Sequence, residues 1–569
     1  MNKLRYLLLC CALAGLGAAQ KASAQPTINA IENNYSYILP YSPNYGIAQG
    51  SIFTIFGTNL AASATSLQSF PLKTTDNGAS VSVNVNGATT QAIPYYVSPY
   101  QIAAILPSAT PVGTGSITVT TASGTSQPAN ITVVETQFGI DTLYGTGAGP
   151  AVAEDASGNV LTFTHSANPG QTIVLWGSGV GPDPGNPDET VFPQKQNNLT
   201  NLGIEVDIGG IKSAVSYLGR SMYPGLDQIN VTVPPNVEPG CFVSVVVWAG
   251  TNISNFASLP IAASGQTCSD QVIPYSGTEL ETLGTKGAVN IGALRIGVLQ
   301  LAPTSLFGIP VSAETQQNAY AMFTSSSATQ FISSLYAPEN GAVDVALTTV
   351  SIGSCLVQQD GSFSGSSTAT PTNLNAGSTI NVIGPSATAM LNANNGVYYT
   401  PADGGSGNNL PNGFISNSGG DFKFNNASGA SQVGAFSTQA TVPPVFTWNE
   451  RDTTSNVDRS EPLTVTWSNA APDSFVQISG FSSASYGVDT IATAFTCSAS
   501  ASAGTFTVPA PVLLALPPTA VLDGLVSSSY LAVSDFTIPQ TFSAPGLDVG
   551  TVYGYVTNTT GETGNVVYQ

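Results

Sequence analysis

Charge is what this chain has least of. Only 8% of its 569 residues are Asp, Glu, Lys or Arg, against about 25% in an average soluble protein, so Ser, Thr, Asn, Gln and Gly must supply the wetted surface. Basic residues are scarcest, 12 Lys and Arg against 32 Asp and Glu, and they are scattered without a cluster. Phosphate neutralisation needs grouped cations, which argues against nucleic acid as a partner and, for the same reason, against anionic membrane surfaces. Histidine is nearly absent, His165 being the single one. A Ser or Cys triad would have to use it, and the Gly-x-Ser-x-Gly elbow that presents such a nucleophile is missing. One histidine and an even set of cysteines give no zinc ligand set at workable spacing. The expectation is therefore no catalytic residue, no bound cofactor and no metal.

Long apolar runs are also missing, except at the start. Lys3 and Arg5 precede an apolar core from Leu7 to Leu16, followed by Ala22-Ser23-Ala24 before Gln25. That is the pattern of a secretory signal peptide over residues 1–24, and its core is shorter than the ~20 residues a membrane-spanning helix requires. Secretion or display at the cell surface is expected, with no membrane insertion after cleavage. Removing Lys3, Arg5 and Lys21 leaves nine basic residues against 32 acidic ones, a net charge of −23.

Four cysteines remain after residue 24: Cys241, Cys268, Cys355 and Cys497. In an oxidising compartment an even count points to bridges, and three pairings exist on paper. Cys241 opens the run Phe242–Trp248 and Cys268 follows the last strand of the same unit, which favours pairing these two. Cys355 and Cys497 are then either bridged by elimination or buried thiols.

What the chain does have is β patterning and a repeat. Val81, Val83 and Val85 alternate with polar residues, as do Ile204, Val206 and Ile208, and Leu463, Val465 and Trp467, each the period of a half-buried strand. With 58 Gly and 38 Pro separating such runs, the chain is expected to be all-β. Glu314 to Tyr336 is the least strand-like stretch, suited to a short helix or an ordered loop, while Val512–Pro517 reads as a buried strand. Ala402 to Asn409, rich in Gly, Asn and Ser, reads as an exposed loop. Gly50-Ser-Ile-Phe-Thr-Ile-Phe-Gly57 matches Gly170-Gln-Thr-Ile-Val-Leu-Trp-Gly177, and Gln101-Ile-Ala-Ala-Ile-Leu-Pro107 matches Gln228-Ile-Asn-Val-Thr-Val-Pro234, at spacings of 120 and 127 residues. A period of that length suits a complete β-sandwich. The expected organisation is a tandem of immunoglobulin-like β-sandwich domains over 25–135 and 136–268, an irregular β-rich region over 269–373, a β-rich unit over 374–442 and a C-terminal sandwich-like unit over 443–569.

The segment from about Gly46 to Cys268 resembles the immunoglobulin-like, TIG-related domain of many secreted acidobacterial proteins. The residues that carry the likeness are Ile173 to Pro182, Leu226 to Pro234 and Glu238-Pro239-Gly240-Cys241, with a shorter echo in Val97 to Ile102. The resemblance implies fold and export, and transfers no catalytic or ligand residue.

Other motifs carry candidate chemistry. Gly177-Ser178-Gly179-Val180-Gly181 follows a strand like a phosphate loop, but Pro182-Asp183-Pro184 comes next instead of a helix, so it is expected to be a turn. Glu450, Asp452, Asp458 and Glu461 could pair as glycosidase carboxylates, although Arg451 and Arg459 interleave with them as in a solvated loop. Asp183, Asp188 and Glu189 offer calcium-type oxygens without the regular ladder. Tyr35, Tyr37, Tyr41 and Tyr45, with Tyr95, Tyr96 and Tyr100, either cap apolar cores or stack on an extracellular glycan or an envelope protein. The expected function is an exported, non-enzymatic adhesive, binding or scaffolding protein. The alternatives are a carbohydrate-active enzyme or its accessory module, with Ser269–Thr372 as the place for a site, and a purely structural spacer.

Overall fold

The computed structural model describes residues 24–65, 68–306, 309–334, 350–361, 371–400, 409–486, 489–519, 521–522, 525–526, 528–560 and 566–569. The expected signal peptide, apart from residue 24, and the stretch Ala402–Asn408 lie outside them. The chain is all-β and builds immunoglobulin-like sandwiches in tandem.

The two copies of the repeat fold alike. In the first, Ile52–Thr58 pairs antiparallel with Gln101–Ile105, and in the second Thr172–Ser178 pairs with Asp227–Thr232. Each pair is the centre of one sheet of a sandwich. The facing sheet of the first copy is built on Ala129–Val134, Gly113–Thr121 and Ala79–Val85, and that of the second on Glu205–Ile208, Gly240–Ala249 and Ala257–Ile261. Alternation sends Val81, Val83, Val85, Phe53 and Ile55 into one core, and Ile173, Leu175, Val206, Ile208 and Val231 into the other. Two-layer burial of this kind is what period-two patterning demands.

Gly240–Ala249 lacks alternation because both of its faces are covered. Val243, Val245 and Val247 enter the second sandwich, whereas Cys241, Phe242 and Val246 join the core of the C-terminal half. A strand buried on both sides reads as a continuous apolar run. The Cys241–Cys268 disulfide sits on this seam, where Phe242 N donates to Ser351 Oγ at 3.0 Å.

Strands from all three stretches after residue 268 share one 14-stranded sheet, running from Cys355–Gly361 through Asp489–Ser500, Ser474–Tyr486, Ser529–Thr537, Val549–Thr559, Val289–Leu301 and Glu314–Ser326 to Phe436–Val442 at the far edge. Val289–Leu301 and Val549–Thr559 are parallel neighbours, 258 positions apart at the register pair Ile291–Val549. The sheet curls, and Thr537 Oγ1 donates to the Thr441 carbonyl at 3.0 Å across the fold. At the opposite edge Cys355 and Cys497 stand at facing register positions and are disulfide-bonded.

Two local expectations are corrected. Within Glu314–Tyr336 the expected short helix is present at Ala328–Ser334, but Glu314–Ser326 before it is a 13-residue strand. Its inward positions are Gln317, Ala319, Ala321 and Phe323, mostly small or polar, so the buried face carries little hydropathy signal. Val512–Pro517 is not a strand: Ala510–Leu514 forms one helical turn with proline in its first turn, a position where the missing N–H costs nothing. Among the described residues no helix is long and apolar enough to cross a membrane.

Candidate functional site

The glycine-rich turn after Thr172–Ser178 holds a protein carboxylate instead of a phosphate. Gly179 and Gly181 have φ of +121° and +110°, a region open to glycine, and this turns the Gly179 and Val180 N–H groups onto Asp227 Oδ2 at 2.7 and 2.9 Å. Arg220 Nη1 completes the cluster through an ion pair with Asp227 Oδ1, and its Nη2 donates to the Gly181 carbonyl at 3.0 Å. Burial pushes the Asp227 pKa upward, opposed by Arg220 and the two amides.

This cluster lies at the junction of the two sandwiches. A Cβ on Gly50 of the first would stand 2.8 Å from Arg220 Nη2, and one on Gly225 of the second 2.6 Å from the Ile52 side chain. Ser178 Oγ accepts from Ile52 N at 2.9 Å and donates to the Gly225 carbonyl at 2.6 Å, while Asn33 Nδ2 donates to the Ser178 carbonyl at 3.1 Å. Sequence reasoning missed the cluster. The signal was a charged residue in an otherwise apolar repeated strand: the position matched to Asp227 in the first copy is Tyr100, which is exposed.

Beside the junction runs an exposed aromatic ridge. The loop 186–195 crosses from the second sandwich to the first, where Leu72 N donates to the Thr190 carbonyl at 2.7 Å and Ser108 N to Glu189 Oε1 at 3.0 Å. At its tip Phe192 packs on Phe70 with ring centroids 3.8 Å apart and meets the edge of Tyr223 at 5.7 Å. Phe192 is 43% exposed, Tyr223 41% and neighbouring Met222 77%. The floor is apolar, with Tyr95, Tyr96 and Phe70 packed over Ile52, Leu72, Ile93 and Ile105. Of the tyrosines singled out by sequence, Tyr95 is thus beneath the ridge and Tyr100 is exposed elsewhere.

Of the tyrosines of 35–45, Tyr35 packs with Tyr95 and Tyr96 on the same apolar floor and Tyr37 against Phe56, while Tyr41 and Tyr45 flank a joint. Tyr45 donates to the Ile31 carbonyl at 2.8 Å, and Tyr41 stacks on Tyr486 at 5.2 Å. Between them Asn44 donates to the Ile253 carbonyl of the second sandwich at 3.1 Å and accepts from Gln359 of the C-terminal sheet at 2.8 Å. One short segment therefore touches three sheets.

The acidic candidates other than Glu461, which is exposed, are held by protein donors. Asp183 accepts from Gly185 N, Asn186 Nδ2 and Asn197 Nδ2 at 2.7–2.8 Å, and Asp188 accepts from Thr190, so with Glu189 on Ser108 the three anchor the loop separately. Among the described residues no group of three or more His, Cys, Asp or Glu gathers as metal ligands. Glu450 accepts from the Thr466 amide at 3.0 Å and from its hydroxyl, Asp458 from Ser460, and Arg451 pairs with Asp452 at 3.0 Å. His165 Nε2 meets Asp155 Oδ2 at 3.0 Å, and hydrogen bonds from Asn159 hold the Asp155 carboxyl well below its ordinary range.

Comparison with known proteins places one recognised module in the chain: residues 36–133 match the model of the IPT/TIG domain. No curated protein matches. Among solved structures the chain is similar to the plexin A4 extracellular region, domains 1 to 10, at 10% identity over 84% of this chain and 29% of that one, with a TM-score of 0.15. It is also similar to SGBP-B from a xyloglucan utilization locus of Bacteroides uniformis, at 11% identity over 63% and 76% of the two chains and a TM-score of 0.15. Domains 5–6 of the S-layer protein SbsC follow at 14% identity, 42% and 98% coverage and a TM-score of 0.15. The chain spans 19% and 29% of the lengths of the two plexin chains it matches.

Proposed function

We propose that this chain is an exported, non-enzymatic binding or scaffolding protein that works by surface contact, at the cell surface or outside the cell. The observation that carries the reading is the ridge of Phe192, Tyr223 and Met222, exposed yet held by packing on Phe70 and by a loop tied at Leu72 and Ser108. Rigid, amphipathic rings give large contact area at low entropic cost, and ligand loops on a fixed scaffold are the usual way a sandwich binds. An extracellular glycan or an envelope protein is the partner class this surface suits. Non-enzymatic action is supported by Glu450 and Asp458, two of the four candidate carboxylates, which accept from Thr466 and Ser460.

A glycan-array and envelope pull-down screen with the protein from Gln25 onward tests the reading. Retention is expected for the unmodified protein and loss of at least tenfold for Phe192→Ala combined with Tyr223→Ala. No retained ligand, or retention indifferent to both substitutions, leaves a structural spacer as the better description.

A further inference from the structure

A second aromatic surface lies where the segment 35–45 meets the C-terminal sheet, on a different joint from the ridge. Tyr41 and Tyr486 stack there with their planes only 13° from parallel, and both stay open to solvent, at 45% and 38%. Tyr41 holds a φ of +72°, a region that bulky side chains seldom occupy and that persists only where the surroundings impose it. Here Ser42 N donates to the Leu39 carbonyl at 3.1 Å and Tyr45 N to the Ser42 carbonyl at 2.9 Å, while Asn44 accepts from Gln359.

Beside this pair stands a cation without a counter-ion. Arg459 Nη1 donates to the Leu514 and Leu516 carbonyls at 3.2 and 2.8 Å, and the Ala515 carbonyl between them accepts from Gln359 Nε2 at 3.4 Å, the same amide that bonds Asn44. Ser482 Oγ, on the strand that ends at Tyr486, donates to the Pro517 carbonyl at 2.8 Å. The turn 514–517 thus gathers the guanidinium and the elements that carry both rings. Burial lowers the Arg459 pKa, while Tyr486 and then Asp458 act in the opposite sense. Among the described residues Arg459 makes no ion pair, whereas Arg220 and Arg451 have Asp227 and Asp452, and Asp458 accepts from Ser460 instead. Its Nε is shut off from solvent, but Nη2 is neither bonded nor enclosed. A half-buried cation with an open donor favours an anion that reaches it from the solvent side.

We propose that Tyr41, Tyr486 and Arg459 form a binding site for an acidic sugar, with the carboxylate of a uronic acid accepting from Arg459 Nη2 and the apolar face of its pyranose lying on the tyrosine rings. Near-parallel rings offer a flat face, which suits a pyranose better than the edge-to-face rings of the ridge. The carboxylate supplies the charge that Arg459 lacks, and it does so at short range, since a net charge of −20 repels anions from afar. The site is separate from the ridge and does not depend on it. A uronate within a polysaccharide and a free uronic acid present the same chemistry.

Calorimetric titration of the full chain with trigalacturonate and with its methyl ester, at fixed ionic strength, tests the site. The acid is expected to bind at least tenfold more tightly than the ester. Arg459→Gln is expected to erase that difference, Tyr486→Ala to weaken both ligands at least tenfold, and Phe192→Ala with Tyr223→Ala, on the ridge, to change neither. Monomeric galacturonate, titrated alongside, separates the sources: equal affinity indicates a free sugar, and weaker binding a chain. Absence of saturable binding of the acid, equal affinities for acid and ester, a difference that survives Arg459→Gln, loss of binding in the ridge variant, or tighter binding of acetyl-Ala-Asp-Ala amide than of trigalacturonate would each overturn the proposal. Should Arg459→Gln fail to fold because the Leu514 and Leu516 carbonyls lose their donor, Tyr41→Ala combined with Tyr486→Ala removes the rings alone, and undiminished binding of the acid to it is equally fatal.

Discussion

Single residues at the sandwich junction carry the largest local stakes. Asp227 is fully buried and all its partners are donors, so removing Arg220 strands a charge in a low-dielectric seam. Arg220→Met is expected to destabilise by about 3–5 kcal/mol, seen as a lowered urea midpoint at unchanged slope. Gly50→Ala should also destabilise, since its φ of +73° disfavours a side chain and the added methyl meets Arg220. Glu32 makes a different prediction. It is 7% exposed at the end of its strand, and burial pushes its pKa from an ordinary 4.5 to about 8, with Tyr37 and Tyr45 feeling its charge. Between those values the folded chain keeps a proton that the unfolded chain has lost. The contribution of Glu32 is therefore full below pH 4.5 and is lost as pH rises through 8, by up to about 1.4 kcal/mol per unit. Urea unfolding at pH 5 and pH 8 should show the wild type losing more stability than Glu32→Gln; parallel losses would mean Glu32 titrates normally.

Among the elements, legibility followed how far burial matched hydropathy. The strands around Val81–Val85 and Ile204–Ile208 announced themselves because every inward residue is a branched aliphatic. Glu314–Ser326 did not, because its inward face is Gln, Ala, Ala and Phe, and Gln317 satisfies itself by bonding both backbone groups of Ile415 at 2.8 Å. The helical turn at Ala510–Leu514 was hidden by its length, five residues being too few for a 3.6 period to separate from a strand. Of the candidate site, the tyrosines were visible as residues but not as a joint, and Phe192 was invisible, since an isolated aromatic in a loop has no periodicity to betray it. The bridges make a quantitative pair at this scale. Cys241–Cys268 spans 27 residues and Cys355–Cys497 spans 142, so chain entropy assigns about 3.5 and about 5 kcal/mol respectively. Paired Ser substitutions should rank in that order by urea midpoint. The reverse order would show that the edge strand Cys355–Gly361 is held mainly by its ladder to Asp489–Ser500.

For the whole molecule the question is whether three sheet systems behave as one body. Ser178 ties the first two sandwiches by accepting from Ile52 N and Asn33 Nδ2, the double-faced strand Gly240–Ala249 shares its burial between the second and the C-terminal half, and Asn44 bonds to both the second sandwich and the C-terminal sheet. Links of this kind are buried and hydrogen-bonded, unlike the open, polar contacts that let domains hinge. Coupled units exchange their amides together. Hydrogen exchange in the intact protein is thus expected to show the central strands Ile52–Thr58 and Thr172–Ser178 opening with similar free energies. Ser178→Ala should uncouple them, raising exchange in Ile52–Thr58 first, because Ile52 N loses its acceptor across the junction while the second sandwich keeps its seam with the C-terminal sheet. If both strands instead lose protection equally in that variant, the junction is a brace internal to the second sandwich, and the aromatic ridge above it would ride on a joint free to move.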